Sequence, residues 1–201
     1  MRDTGESPLE SDLVRRARSG RGPAREALGR VVGRTAYVFA LQLTRSPDAA
    51  LDVAQDSALR FFEHIDRFDA DRAIEPWLYQ IVRNRVRDLA RRESLRRHDS
   101  LDAWIAGRPL EIADPDPGPP DEVERLELQR RIWGAISGLS DDHREILILR
   151  DHHGLPYREI AEIMSIPVGT VMSRLHAART RLRDELADEG GRTRKGDEDH
   201  E

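Results

Sequence analysis

The chain has 201 residues, 35% charged and 38% hydrophobic, which is polar for one densely filled globule yet too apolar for a wholly disordered chain. It contains no cysteine, which excludes disulfide scaffolds, thiolate metal centres and thiol nucleophiles. The formal net charge is -5, but charge is segregated along the chain, so the average does not exclude a polyanionic partner.

No apolar run approaches the ~18 residues of a membrane span. The polar start MRDTGESPLE lacks a signal-peptide core. The chain therefore reads as a soluble cytoplasmic protein with no membrane insertion. Of its 33 basic residues only Lys195 is lysine. A GC-rich genome accounts for that bias, but not for where the arginines cluster.

Residues 1–23 are polar and contain glycine and proline, and they read as a flexible arm. Helical text begins at Ala24. Leu28, Val32, Phe39 and Leu43 fall four or seven apart on one face. After the break at 44–48, Leu51, Ala54, Ala58, Phe61 and Ile65 mark the inner stripe of a second helix. After a polar break at 68–72, Pro76 suits a first helical turn. Leu78, Val82, Val86 and Leu89 then mark a third helix. No stretch alternates with period two for long enough to make a strand, so the predicted fold is all-α.

Residues 81–97 carry seven arginines against two acids, a local +5, with Arg83, Arg87 and Arg91 four apart as an external stripe. Phe68, Trp77 and Tyr79 lie just upstream. Aromatics beside a basic groove can stack unpaired bases. Trp77, opening an amphipathic helix, reads first as core packing.

At Asp99 the composition changes. Residues 99–128 hold nine acidic residues and two arginines, net -7, and residues 115–120 include four prolines. Prolines at that density cannot sit inside a helix, so 99–121 is expected to be an extended acidic linker. Some twenty such residues reach ~65 Å at ~3.3 Å each.

Periodicity returns at Val123, with Leu128, Ile132, Ala135 and Leu139 on one face. Ser140 reads as an N-cap, with Asp141 and Asp142 in the first turn. Gly154 closes the helix that follows. A short amphipathic helix over 156–164 then leads to 165–167, where the proline forces an exit from the α region. A new helix begins near Val168, with Val171, Leu175, Ala178 and Leu182 inward. Two short helices joined by a tight turn make a helix-turn-helix. Residues 170–183 contain four arginines and no acid, the charge pattern of a recognition helix beside phosphates. Its outer face carries Ser173, Arg174, His176, Ala177 and Arg181. The charged tail 187–201 reads as disordered.

The histidines include no HExxH pattern, and no phosphate loop is present. Asp151, His152 and His153 could form a metal corner, but adjacent histidines in a helix-ending turn read better as exposed side chains. No enzyme, metal site or cofactor is therefore expected.

Two stretches, RSPDAALDVAQDSALRFF with FDADRAIEPWLYQIVRNRVRDLARR, and LSDDHREILILRDHHGLPYREIAEIMSIPVGTVMSRLHAARTRLR, resemble regions two and four of the sigma-70 family of bacterial transcription initiation factors, in its compact extracytoplasmic-function group. The resemblance divides the chain into a region-two domain over 24–98, the linker, and a region-four domain over 122–186. It implies a protein that binds core RNA polymerase through the beta and beta-prime subunits, recognises -10 and -35 promoter elements and helps melt DNA. On this resemblance, Asp52, Gln55, Asp56, Leu59 and Phe62 would dock on the polymerase clamp. Phe68, Arg72, Trp77 and Tyr79 would read the -10 element, with Arg83, Asn84, Arg87, Arg91 and Arg92 holding its backbone. Tyr157, Thr170, Met172, Ser173, Arg174, His176, Ala177 and Arg181 would engage the -35 element. The linker would thread near the polymerase active-site cleft. An anti-sigma factor is a further expected partner.

The chain departs from the family pattern in places. Ala49 and Leu51 replace common acids before Asp52. Met172 and Ala177 stand where relatives often carry Lys or Arg, so fewer donors are available to base edges. The competing reading is a stand-alone helix-turn-helix regulator, against which the second basic domain argues.

Overall fold

The computed structural model describes residues 8–20, 22–98 and 120–197. Helices α1 (Pro8–Arg18), α2 (Pro23–Thr44), α3 (Pro47–Glu63) and α4 (Ile74–His98) form one bundle. Helices α5 (Pro120–Gly138), α6 (Asp141–Leu147), α7 (Tyr157–Met164) and α8 (Val168–Asp197) form a second. Among the described residues every element is helical, as the periodicity predicts.

Proline sets four of the starts, with Pro8 opening α1. Pro23 and Pro47 open α2 and α3, and Pro120 opens α5, since the first helical position needs no N–H. At α3 the preceding residue is also fitted to its place. Ser46 is extended, and its hydroxyl oxygen accepts from the Ala49 N–H at 3.3 Å. Ser46→Ala removes that bond and is expected to lower stability by about 1 kcal/mol. The measurement is the urea midpoint, which should fall with an unchanged slope.

The inner faces follow the predicted stripes except at Leu51 in α3 and at Leu128 in α5, which is 53% exposed. In α3 the buried positions are Ala50, Val53, Ala54, Ser57 and Phe61. Leu51, expected inside, is 50% exposed and lies on the outer face with Leu59. Alanines at 49 and 50 made the two phases of the helix hard to separate.

Three boundaries differ from the sequence reading. The expected arm 1–23 contains α1, where Val14 and Ala17 are buried against the first bundle. Arg18 ties it down, donating from Nε to the Ile65 carbonyl at 2.9 Å and from a second nitrogen to the Phe68 carbonyl. Most of the expected linker, 99–119, lies outside the described residues, and the helix beyond it begins at Pro120. The expected tail is helical as far as Asp197. No proline follows Pro167, and the paired Gly190 and Gly191 cost only about 1 kcal/mol each. Residues 198–201 fall outside the description, as do 1–7 and 21.

The second bundle seats on the first through α4 against α7 and α2 against α6. Arg45 is in the left-handed region (φ 57°), and its guanidinium donates to the Ser137 carbonyl at 3.0 Å. Arg144, 5% exposed, donates to the carbonyls of Leu139 at 2.8 Å and Ser137 at 3.2 Å, satisfying the end of α5.

Candidate nucleic-acid interface

Three surfaces carry the residues singled out by sequence. The first is the outer face of α3. Asp52, Gln55 and Leu59 are exposed there, with Leu59 64% exposed. Asp56 is half-buried and ion-paired with Arg85. Phe62 turns away from this face. Its ring lies under the Arg25 guanidinium at 4.7 Å and edge-on to Phe61 at 5.6 Å.

The second surface lies around the start of α4. Phe68 and Trp77 stack with ring centroids 4.9 Å apart and an interplanar angle of 17°, and Phe61 backs Trp77 at 4.9 Å. Trp77 is therefore both packing and surface. One side rests on the core, while the ring also lines a cleft of about 690 Å³ with His64, Arg67 and Arg72. The opposite wall of that cleft comes from α7, through Glu159, Glu162 and Ile163. Arg72 approaches Glu162 at 3.7 Å. Burial raises the Glu159 carboxyl above its ordinary range, against the pull of Arg72.

Further along α4 the structure corrects the sequence reading. Arg83, expected on an external stripe, is 3% exposed and ion-paired with Glu145 of α6, which is itself 5% exposed. Arg87 bonds Asp142 at 2.9 Å and lies 3.5 Å from Glu145. Only Asn84, Arg91 and Arg92 of that group remain exposed without such cover. The helical period correctly puts Arg83 outside its own bundle. The second bundle then covers it. Burial lowers the Arg83 guanidinium and raises the Glu145 carboxyl, in each case against the attraction of the partner.

Tyr79 is likewise buried, at 4% exposure, packed on Phe39 at 4.4 Å. Its hydroxyl shares a hydrogen bond with His153 Nδ1 at 2.9 Å, and His153 Nε2 meets Gln42 Oε1 at 3.0 Å. Burial raises the phenol well above its usual value. The sequence reading gave His153 no such role. It sits where α6 passes into a wider turn over Ile148–His152, its N–H bonding back to the Ile148 carbonyl at 2.9 Å. That extra residue in the turn swings the imidazole toward α2 and α4. The other members of the suspected metal corner are engaged elsewhere. Asp151 accepts from Arg179 Nε at 3.1 Å, and His152 packs edge-on to Trp133 at 5.5 Å. Among the described residues no group of three or more ligating side chains gathers to hold a metal.

The third surface is the helix-turn-helix of α7 and α8. Ser165 takes the left-handed conformation (φ 55°) that ends α7, and the Ile166 N–H bonds back to the Ala161 carbonyl at 3.0 Å. Pro167 then supplies the carbonyl that receives Thr170 and Val171 at 2.9 and 3.1 Å. Val171, Leu175 and Ala178 are buried as expected. Met172, Ser173, His176 and Arg181 are exposed, while Tyr157, Thr170, Arg174 and Ala177 are half-buried. Arg174 turns toward α6 and bonds Asp142 at 3.0 Å. Tyr157 lies under the Arg150 guanidinium at 5.0 Å. Burial, then the charges of Arg181 and Arg174, lower the nearby His143 imidazole.

Asp142 therefore sits between Arg87 of α4 and Arg174 of α8. The N-cap expected at Ser140 is only partly realised. Its carbonyl accepts the Arg144 N–H at 2.9 Å, but its hydroxyl makes no capping bond.

Comparison with known proteins places both bundles. Residues 30–96 match the family model for sigma-70 region 2, and residues 129–182 match that for sigma-70 region 4. The extracytoplasmic-function sigma factor SigW of Bacillus subtilis is 34% identical over 157 residues, covering 76% of this chain and 83% of SigW. The sigma-E factor of Haemophilus influenzae is 32% identical, covering 90% of this chain and 97% of its own. The probable sigma factor RfaY of Xanthomonas campestris is 31% identical over 92% of this chain, which spans 45% of RfaY's length. Among solved structures, the sigma factor RpoE of Bartonella quintana, in complex with the anti-sigma factor NepR, superposes with a TM-score of 0.63 at 28% identity, covering 81% of this chain and 95% of its own. Among the described residues no helix is long and apolar enough to cross a membrane. With a region-2 bundle carrying the Phe68–Trp77 cleft, a region-4 bundle carrying the helix-turn-helix, and relatives that align along most of its length, the chain belongs to the sigma-70 family of RNA polymerase sigma factors, in the extracytoplasmic-function group.

Proposed function

We propose that the chain binds core RNA polymerase in the cytoplasm, directs it to -10 and -35 promoter elements and helps open the duplex. The observation that carries this reading is the pairing, in one chain, of an aromatic cleft flanked by arginines with a separate cationic helix-turn-helix. The outer face of α3, with Asp52, Gln55 and Leu59, is the polymerase-docking surface. Leu51 joins it, being exposed in the same row. Phe68 and Trp77 with Arg72 take an unstacked base of the -10 element, and the α4 arginines hold its backbone. The exposed side of α8 enters the major groove of the -35 element.

The work is differential binding and breaks no bond. Phosphate contacts supply affinity and position, and base contacts supply discrimination. Unstacking a base costs a few kcal/mol, which a fitted pocket offsets only for the preferred base. In the docked arrangement α7 walls the aromatic cleft and α6 covers Arg83, so DNA binding requires the two bundles to part. Mounting on polymerase would hold them apart and raise the effective concentration of each on its element. The likeness to a sigma factor solved with an anti-sigma factor supports an inhibitory protein partner for this chain too.

The test mixes the full chain with core polymerase and selects promoters from a randomised library by run-off transcription. A stable complex and a recovered two-part element are expected. A chain that binds DNA specifically but never co-purifies with core polymerase is instead a stand-alone regulator. On a selected promoter, Trp77→Ala should leave core association intact. It should lower open-complex formation by about 5- to 150-fold, the range for one lost base stack. Permanganate reactivity of unpaired thymines measures it, and Trp77→Phe should recover most of the loss.

A further inference from the structure

The exposed side of α8 carries apolar atoms where hydrogen-bond donors are expected. Met172 is 56% exposed and Val168 39% exposed, four residues apart on one face of the helix. Gly169 lies between them on the same side, where an added Cβ would meet nothing within 4 Å. The absent side chain there is not needed for packing within the protein. It leaves the backbone free to approach another surface closely.

The polar groups nearby are mostly committed. Ser173 donates its hydroxyl to the Thr170 carbonyl at 3.2 Å, and Arg174 is drawn to Asp142 at 3.0 Å. Base discrimination by hydrogen bonds relies on bidentate donors, such as Arg or Lys on guanine and Asn or Gln on adenine. None of these residue types stands on this face at 168, 169, 172, 173 or 176. The remaining major-groove feature that an apolar side chain can read is the 5-methyl group of thymine. The absence of acids from 170 to 183, with Arg181 and Arg183 exposed, keeps the occupant a polyanion.

We propose that α8 selects its promoters by the thymine 5-methyl groups of the upstream element, with Met172 as the principal reader and Val168 beside it. This rests on the sigma-factor reading above, and specifies what the helix recognises. The spacing is consistent with it. Four residues of helix rise about 6 Å, close to two base-pair steps at about 3.4 Å each. Two methyl groups about two steps apart are therefore within reach of one helix face. The unbranched, polarisable thioether of Met172 can adjust to either strand's methyl.

The experiment uses holoenzyme made from the full chain and core polymerase, with an upstream element first selected from a randomised library. That element is resynthesised with deoxyuridine for thymidine, one position at a time, which removes only the methyl group. The expected result is a loss of about fourfold in promoter affinity at each of one or two positions. Met172→Ala should lower affinity for the thymidine element and abolish the response to deoxyuridine at its position. Met172→Leu should retain it. Undiminished affinity at every deoxyuridine position overturns the proposal. So does a Met172→Ala holoenzyme that still senses the missing methyl as strongly. Failure to assemble a holoenzyme or to recover any upstream element overturns the sigma-factor reading itself, and is told apart by that earlier step.

Discussion

Replacing Glu145 with leucine is expected to unseat the second bundle from the first. The substitution leaves the Arg83 guanidinium at 3% exposure without its partner. Removing one member of a buried ion pair costs about 3–5 kcal/mol, because the other charge stays desolvated. The docking equilibrium should therefore shift by more than about a hundredfold. The chain lacks cysteine, so single cysteines at the exposed Arg34 and Arg183 can carry a fluorophore pair. Transfer efficiency should fall in Glu145→Leu and recover in the double variant with Arg83→Met, since apolar replacement of a whole buried pair is often neutral or stabilising. Unchanged transfer in the single variant would show that the pair does not hold the bundles together.

The direction of the Glu145 shift adds a pH sign. Burial raises its carboxyl above the ordinary 4.5, outweighing Arg83 and Arg87. The docked form thus takes up this proton more readily than a form with Glu145 exposed. Docking should tighten, as far as this group is concerned, when pH falls through the raised value toward 4.5. Glu145→Gln, which mimics the protonated state and keeps an oxygen for Arg83, should therefore dock at least as tightly as the parent, unlike Glu145→Leu, which leaves Arg83 no acceptor.

The second large effect is expected at Phe61. Its ring is fully buried and touches Phe62, Phe68 and Trp77 with centroids 4.9 to 6.2 Å apart. Phe61→Ala should cost about 3–5 kcal/mol, as transfer and cavity terms add. For a domain of this size that lowers Tm by more than about 10 °C. Because Phe61 backs the stacked pair, the variant should also loosen the aromatic cleft. Calorimetry measures the first effect, and Trp77 fluorescence, with Trp133→Phe and Trp104→Phe in the background, measures the second. A well-packed native melt at the parental temperature would mean that the cavity is filled by repacking, and that the cleft does not depend on this ring.

Much of the functional surface was legible because its signals are local. The helix-turn-helix needs only a proline, a turn and a 3.6-residue stripe, all present between 155 and 183. The exposed row of α3 follows from the same period, although the apolar spacing alone puts Leu51 on the wrong side. There the neighbouring alanines at 49 and 50 blurred the phase. The first helix is hard to read from sequence because Val14 and Ala17, with Leu13 partly buried beside them, make only a short stripe. Their burial depends on Arg18 reaching carbonyls at 65 and 68. The end of α8 is not legible in the sequence because glycine weakens a helix without stopping it.

What the amino-acid order determined alone is the helical architecture, the two cationic helices and the acids between them, since period, capping and charge are written within a few turns of each residue. What the tertiary structure decided is which outward residues stay outward. Arg83 lies outside its own bundle by every local rule, and only Glu145, arriving from a separate bundle, makes it a buried ion-pair member. His153 became a bridge to Tyr79 and Gln42 for the same reason. The geometry of docking depends on the shape of both bundles together, and no local pattern encodes it.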